Sequence, residues 1–235
     1  MITSLRAAGI CLWIEAVLSG QANPDELTHA CGSVRVRAKE GSDEDTSLAV
    51  FAAKLPANEH VFLVLTRPGD PGPLESVPLL TSEAIQAGCA IALTARSVVL
   101  MPTEDSNLWL SAQAPFSVKP PLDIPDALRL LKRTLRETID DIEALDVAGG
   151  RERIEDCLIK NGRPSTPDDW DPRRHELLTM ALALEDVLLL AKQDPGGTVS
   201  ASAFAKRQAE LDELERLVRR CIEAAVSSTV REPTA

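Results

Sequence analysis

The chain contains no tyrosine, and aromatic residues make up only 3% of its 235 residues. Proteins that bind single-stranded nucleic acid stack the bases on aromatic rings, so this scarcity argues against that class. Positive charge is also scarce, because 25 lysines and arginines are set against 36 acidic residues, for a formal net charge of -11. Such an acidic chain has little general attraction for phosphate backbones or anionic membranes. We therefore expect neither a nucleic-acid partner nor a membrane partner.

The five cysteines are odd in number, far apart and never arranged as CxxC. Each has apolar or helical surroundings, which is typical of small buried thiols in a reducing cytosol. The apolar stretch around Cys11 has the beginnings of a signal peptide, but Glu15 interrupts it and an amphipathic helix explains the segment better. No stretch reaches the ~18 apolar residues of a membrane span. The expected location is cytoplasmic.

Recognisable catalytic and cofactor-binding motifs are also missing. The sequence has no GxGxxG, GxxxxGK[ST], GxSxG or HExxH pattern. Its three histidines are scattered, and His29 and Cys31 are two residues apart, so on a helix they point in different directions. We predict no catalytic residue, no metal ligand and no cofactor, which favours a non-catalytic protein.

The first half of the chain mixes strand and helix patterns. Residues 33–38 alternate as a half-buried strand does, and the apolar run 61–65 is typical of a central strand that is covered on both faces. Three further short strands are predicted as a meander at 90–93, 97–101 and 108–112. Helices are predicted at 4–19, after Asn23, at about 46–55, and from Thr81 to Gly88. Residues 1–115 are thus predicted as an α/β domain with a mixed sheet of about five strands.

A proline-rich linker at 116–125 follows, and the sequence beyond it is almost wholly helical. Residues 126–235 are predicted as a four-helix region that resembles an antiparallel bundle. Its helices are predicted at 126–147, 151–160, 175–192 and 200–226. The overall fold class is therefore α+β, and the pattern leaves open whether the two halves share one core.

The tail helix carries one apolar stripe with a coiled-coil-like spacing. Phe204, Leu211, Leu214 and Val218 belong to this stripe, and charged residues occupy the opposite face. Such a stripe is buried either within its own domain or against a partner. The four residues are therefore candidates for an interface with another protein or with a second copy of the chain.

The richest polar cluster runs from Asp168 to Glu176. Its ordinary interpretation is a helix start, with Asp171 as the cap, Pro172 in the first position and Trp170 covering the bundle. Trp170 lies among these charges, and an exposed tryptophan in such a setting resembles an interface anchor. A catalytic cluster is a third interpretation that the sequence leaves open.

The loop 67–73 follows the apolar strand and is rich in proline and glycine. Ligands of open α/β sheets bind beyond the carboxyl ends of strands, where Asp70 is a possible polar anchor and Arg67 a possible anion contact. Gly69 and Gly72 complete this candidate ligand loop. Its ordinary interpretation is a simple turn.

Two segments, 16–27 and 68–72, together with the helical second half, give the chain its only family likeness. The chain resembles a family of uncharacterised actinobacterial cytosolic proteins of similar size. This resemblance implies a bacterial cytosolic setting and no particular activity. Combined with the residue patterns, it leads us to expect a non-catalytic binding, scaffold or regulatory protein that acts through its helical half. The alternative is a small-ligand-binding protein or enzyme with its pocket at loop 67–73.

Overall fold

The computed structural model describes residues 4–41, 44–72, 74, 77–118, 121–143, 165–193 and 201–228. These residues divide into two compact units. The first holds the described parts of Met1–Pro121, Pro164–Asp171 and Val226–Ala235, and the second those of Leu122–Arg163 and Pro172–Ala225. A mixed sheet in the N-terminal half and helices in the C-terminal half confirm the predicted α+β class.

The first unit contains the sheet and four helices. Its elements are α1 (Ser4–Leu18), α2 (Pro24–Cys31), β1 (Arg35–Ala38), β2 (Asp45–Ser47), α3 (Leu48–Ala53), β3 (Val61–Val64), α4 (Pro78–Ala87), β4 (Ala90–Leu93), β5 (Val98–Pro102) and β6 (Leu108–Gln113). The second unit contains α5 (Ile124–Glu143), α6 (Pro172–Gln193) and the long α7 (Ala201–Val226), whose last residue belongs to the first unit. The predicted helix at 151–160 lies outside the described residues.

The six described strands form one sheet in the order β2-β1-β6-β5-β4-β3. Strands β1 and β6 are parallel and all other neighbours are antiparallel. The predicted meander of β4, β5 and β6 is therefore confirmed. Strand β2 was not predicted, because its three polar residues lie at the sheet edge and show no apolar alternation.

Strand β3 corrects one prediction, because it lies at an edge of the sheet and not in its centre. All four of its side chains are buried, as the apolar run predicts. Phe62 and Val64 pack in a cluster with Leu80 and Ala84 of α4. The alternate residues of β3 point to the opposite face, where α1 packs. An apolar run shows that both faces of a strand are covered, but it does not show whether a second strand lies beside it.

Two residues after α7 cover the outer edge of β3. The Ser228 amide donates to the Val61 carbonyl at 2.7 Å, and the Val61 amide donates to Ser228 Oγ at 2.9 Å. The Leu63 amide donates to Ser227 Oγ at 3.1 Å. Both serines are buried. The outward backbone groups of Val61 and the outward amide of Leu63 are thus satisfied by these two serines.

A buried carboxylate connects the start of β3 to the turn between β4 and β5. Glu59 Oε1 accepts hydrogen bonds from the amides of Ala95, at 2.6 Å, and His60, at 3.2 Å. Its Oε2 accepts from the Arg96 amide at 3.2 Å. Only 5% of Glu59 is exposed, so these amides provide much of the stabilisation that its charge loses on leaving water.

The predicted start of α2 is confirmed in detail. The Asn23 side chain accepts from the amides of Asp25 and Glu26, and the Glu26 carboxylate accepts from the Asn23 amide at 2.7 Å. This reciprocal pair is a capping box, and Pro24 occupies the first helical position. Within the described part of the chain, no helix is both long and apolar enough to cross a membrane.

Candidate protein-interaction surface

Helices α6 and α7 of the second unit pack as an antiparallel pair that is joined by a hydrogen bond near each end. Arg174 Nε donates to the Ala225 carbonyl at 2.6 Å, and Arg207 Nη2 donates to the Ala191 carbonyl at 2.8 Å. Both arginines are buried. Each one satisfies a carbonyl in the last turn of the other helix, where the helix dipole favours a cation. The two bonds fix the direction and the register of the pair.

Helix α5 contacts the same end of this pair at which α6 begins and α7 ends. Lys132 Nζ lies 2.8 Å from Glu176 Oε1 of α6, and the Cys221 thiol of α7 lies 3.9 Å from the Ala127 carbonyl. The buried face of α5 includes Leu131. The three described helices therefore belong to one compact unit, with α5 packed at the end where α6 begins and α7 ends.

A group of charges joins α6 to the middle of α7. Lys192 Nζ forms ion pairs with Asp212 and Glu215, and Glu215 Oε1 lies 3.7 Å from Arg219 Nη1. Partial burial alone would lower the pKa of Lys192, but its hydrogen bonds to the two carboxylates outweigh this effect and raise the pKa. Lys192 thus stays charged and is held against α7 at neutral pH.

Two large apolar side chains of these helices lie exposed. Leu189 is 60% exposed and Phe204 is 41% exposed. Leu189 precedes Lys192 by three residues, so both lie on one face of α6. Phe204 precedes Glu215 by 11 residues, or about three helical turns, so these two share one face of α7. Leu189 and Phe204 thus lie on the helix faces that carry the Lys192–Glu215 ion pair, at separate points along the helices.

We call this surface the α6–α7 flank and define it by Leu189, Lys192, Phe204 and Glu215. The contact of Ala191 with Arg207 shows that the end of α6 lies beside the first turns of α7. Phe204 and Leu189 are separate exposed positions, since about three turns of α7 lie between Phe204 and Glu215. Covering one leucine or phenylalanine side chain is worth about 1.5–3 kcal/mol. The flank therefore offers two separate apolar contacts on the helix faces that carry a fixed arrangement of charges.

The other residues of the predicted interface are placed differently. Leu211, Leu214 and Val218 are buried, so the stripe of α7 is covered from Leu211 onward and only its first member, Phe204, is exposed. The interface interpretation of Trp170 required an exposed ring, but only 7% of Trp170 is exposed. It belongs to the first unit, in a turn in which its amide donates to the Pro167 carbonyl at 3.2 Å.

Leu189 was not among the residues predicted from the sequence, because its helix is apolar nearly all round and was expected to be buried. A signal was nevertheless present in the run Leu188-Leu189-Leu190. Successive helical residues are about 100° apart, so three adjacent leucines cannot all point into one core. Leu188 is buried, and Leu189 lies outside the covered stripe.

The candidate ligand loop begins with a closed two-residue turn. The Arg67 amide donates to the Asp70 carbonyl at 3.1 Å, and the Asp70 amide donates to the Arg67 carbonyl at 2.9 Å. The turn residues are Pro68 and Gly69, and Gly69 has a φ of +81°. Proline followed by a residue of positive φ is the signature of a type II turn.

Two close contacts hold this loop against the sheet. A Cβ on Gly88 would lie 3.2 Å from Arg67 Nη1, so the guanidinium passes over this glycine. A Cβ on Gly72 would lie 3.3 Å from Val64 Cγ1. Both glycines also have positive φ, which side chains disfavour. The loop is thus shaped by local backbone constraints, and ligand binding at 67–73 stays a prediction.

The described residues show no metal cluster, and two of their cysteines have thiols with a raised pKa. No group of three or more histidine, cysteine or acidic residues is arranged to hold a metal ion in this part of the chain. Burial raises the pKa of the Cys31 thiol to about 12, against the lowering effect of Arg6. Burial likewise raises the pKa of Cys221 to about 12, against the lowering effect of Arg220. Both thiols are therefore poor nucleophiles at neutral pH.

Comparison with known proteins identifies a family for both halves of the chain. Residues 7–123 match the Rv1486c-like protein, N-terminal domain, and residues 125–223 match the Rv1486c-like protein, C-terminal domain. The boundary between the two matches lies at residue 124, where α5 begins. Neither the curated proteins nor the solved structures gave a match.

Proposed function

The chain belongs to the Rv1486c-like protein family, and we propose that it is a non-catalytic binding or scaffold protein that acts through its helical half. The observation that carries the proposal is the α6–α7 flank, where Leu189 and Phe204 are exposed on the helix faces that carry the ion pairs of Lys192. The two apolar side chains supply contact area. The charges on the same faces, held by ion pairs, supply orientation and selectivity.

The first partner to test is a second copy of the chain. In a two-fold dimer, Leu189 of one copy meets Phe204 of the other, and the same contact repeats on the opposite side of the axis. Because the two-fold axis pairs each residue with the other one, these two different apolar residues are enough to make the flank complementary to itself. Such an interface is small, so we expect a dimer with a dissociation constant in the micromolar range, about -8 kcal/mol.

Light scattering after size-exclusion chromatography, over a range of concentrations, tests this proposal. The wild-type chain should approach the dimer mass as concentration rises, and Leu189→Ser with Phe204→Ser should remain monomeric. Val50→Ser is the matched control, because Val50 is 45% exposed in the first unit. Circular dichroism confirms that each variant is folded. A wild-type monomer at all concentrations, or equal dimers in all variants, contradicts self-association.

A photo-crosslinking residue at position 189 extends the test to a different partner. A protein that binds the flank should crosslink from position 189 and not from position 50, and Phe204→Ser should abolish the crosslink. Identical crosslinks from both positions would contradict the proposal.

We also propose a cytoplasmic location in an actinobacterial cell. The four cysteines in the described part of the chain are reduced thiols, which supports a reducing compartment. Mass spectrometry of the native protein from such a cell, alkylated before lysis, tests this proposal. Cys11 and Cys89 are both buried, and finding either of them oxidised or in a disulfide would contradict the proposed location.

A further inference from the structure

We infer that Ser227 and Ser228 guard an edge strand, and that β3, once uncovered, pairs with β3 of a second copy of the chain. Strand β3 ends the described sheet on one side. Its residues Val61 and Leu63 direct their amides away from β4, because Phe62 and Val64 alternate with them in the antiparallel ladder. An exposed edge of this kind is a template for another strand.

The contacts between the two serines and β3 rely on side-chain acceptors as well as on backbone. The amides of Val61 and Leu63 donate to Ser228 Oγ and Ser227 Oγ, and the Ser228 amide donates to the Val61 carbonyl. The two serines do not adopt strand structure. A second strand in their place would offer backbone partners at every alternate residue. The serines thus satisfy the edge without extending the sheet.

The identity of the displacing strand follows from symmetry and composition. Two identical strands pair antiparallel about a two-fold axis, so each outward amide of one β3 faces a carbonyl of the other. The residues of β3 are Val61, Phe62, Leu63 and Val64, a composition with high strand propensity and no charge. A second copy of this strand therefore fits the uncovered edge, and the sheets of two copies would become continuous.

Amide hydrogen exchange in the full-length chain tests the guard residue by residue. Ser227→Ala removes the acceptor for the Leu63 amide and leaves the contacts of Ser228 with Val61, so exchange at Leu63 should quicken by about tenfold with no change at Val61. Adding Ser228→Pro removes the two bonds between Ser228 and Val61, so exchange at Val61 should quicken as well. Phe62 and Val64, whose amides face β4, serve as internal controls. Ser106→Ala is the matched control, because Ser106 is an exposed serine of the same unit.

The mass of the Ser227→Ala/Ser228→Pro chain tests strand pairing. We expect a concentration-dependent dimer that Leu63→Pro abolishes, since proline removes an outward amide. The same dimer should form when Leu189→Ser and Phe204→Ser are also present, which separates it from any dimer formed through the α6–α7 flank. The inference is overturned by unchanged exchange at Val61 and Leu63, by equal acceleration at all four residues of β3, or by a variant that stays monomeric.

Discussion

Replacing Glu59 by alanine removes the carboxylate that joins the start of β3 to the β4–β5 turn. Three backbone amides, those of His60, Ala95 and Arg96, then lose their acceptor. A hydrogen bond to a charged group contributes about 1.5–3 kcal/mol, but bonds to one carboxylate are not additive. We therefore expect Glu59→Ala to lower the free energy of unfolding by about 3–4 kcal/mol. Glu59→Gln keeps one acceptor oxygen and should lose about half as much.

Tryptophan fluorescence during urea unfolding measures this effect in the correct unit. All three tryptophans, Trp13, Trp109 and Trp170, are buried in the first unit, so their emission reports on the sheet and not on the helices. Glu104→Ala is the control, because Glu104 is exposed in the neighbouring turn. If Glu59→Ala costs less than about 0.5 kcal/mol, the range of an ordinary surface substitution, the carboxylate does not hold the turn and the reasoning is wrong.

Three further predictions follow from burial and charge. Because Leu214 is buried and Phe204 is exposed, Leu214→Ala should lower the free energy of unfolding of the helical unit by about 3 kcal/mol and Phe204→Ala by under about 1 kcal/mol. Urea unfolding followed by circular dichroism measures both values, and equal losses would contradict the placement of Phe204. With a pKa of about 12, Cys31 and Cys221 should react with iodoacetamide at pH 8 about a thousandfold more slowly than an exposed cysteine, as mass spectrometry can show. Hydrogen bonding to Arg37, then the nearby positive charges, lower the pKa of Asp45 against partial desolvation. Its stabilising contribution is therefore present above about pH 4 and lost as pH falls through the lowered pKa, and Asp45→Asn should flatten the acid limb of stability against pH.

The sequence predicted those features of the fold that depend on local chemistry. The capping box at Asn23, the meander and the long last helix all follow from cap residues, alternation or helical spacing. The edge position of β3 does not, because the groups that cover its outer side are Ser227 and Ser228, more than 160 residues away in sequence. Hydrophobic patterns report burial, and they do not report which element is responsible for it.

The candidate surface was predictable only in part, for a related reason. The stripe of the last helix contained Phe204, Leu211 and Leu214, but no pattern within a single helix shows where a neighbouring helix stops covering it. The charged neighbours of Trp170 left both a covered and an exposed tryptophan open, and the structure shows a covered one that belongs to the first unit. The exposure of Leu189 could not be predicted, because the sequence does not show which leucine of the run 188–190 faces the neighbouring helix.

The discontinuous make-up of the first unit has a consequence for how the protein is synthesised. The sheet is complete in sequence by Gln113, yet Ser165 accepts a hydrogen bond from Trp13 Nε1, and the cover of β3 is not translated until residue 228. A nascent chain on the ribosome therefore carries an open strand edge while more than a hundred residues are still being added. Its exposure ends only when residues 227 and 228 have been added, so a chain released before that point keeps an adhesive strand edge.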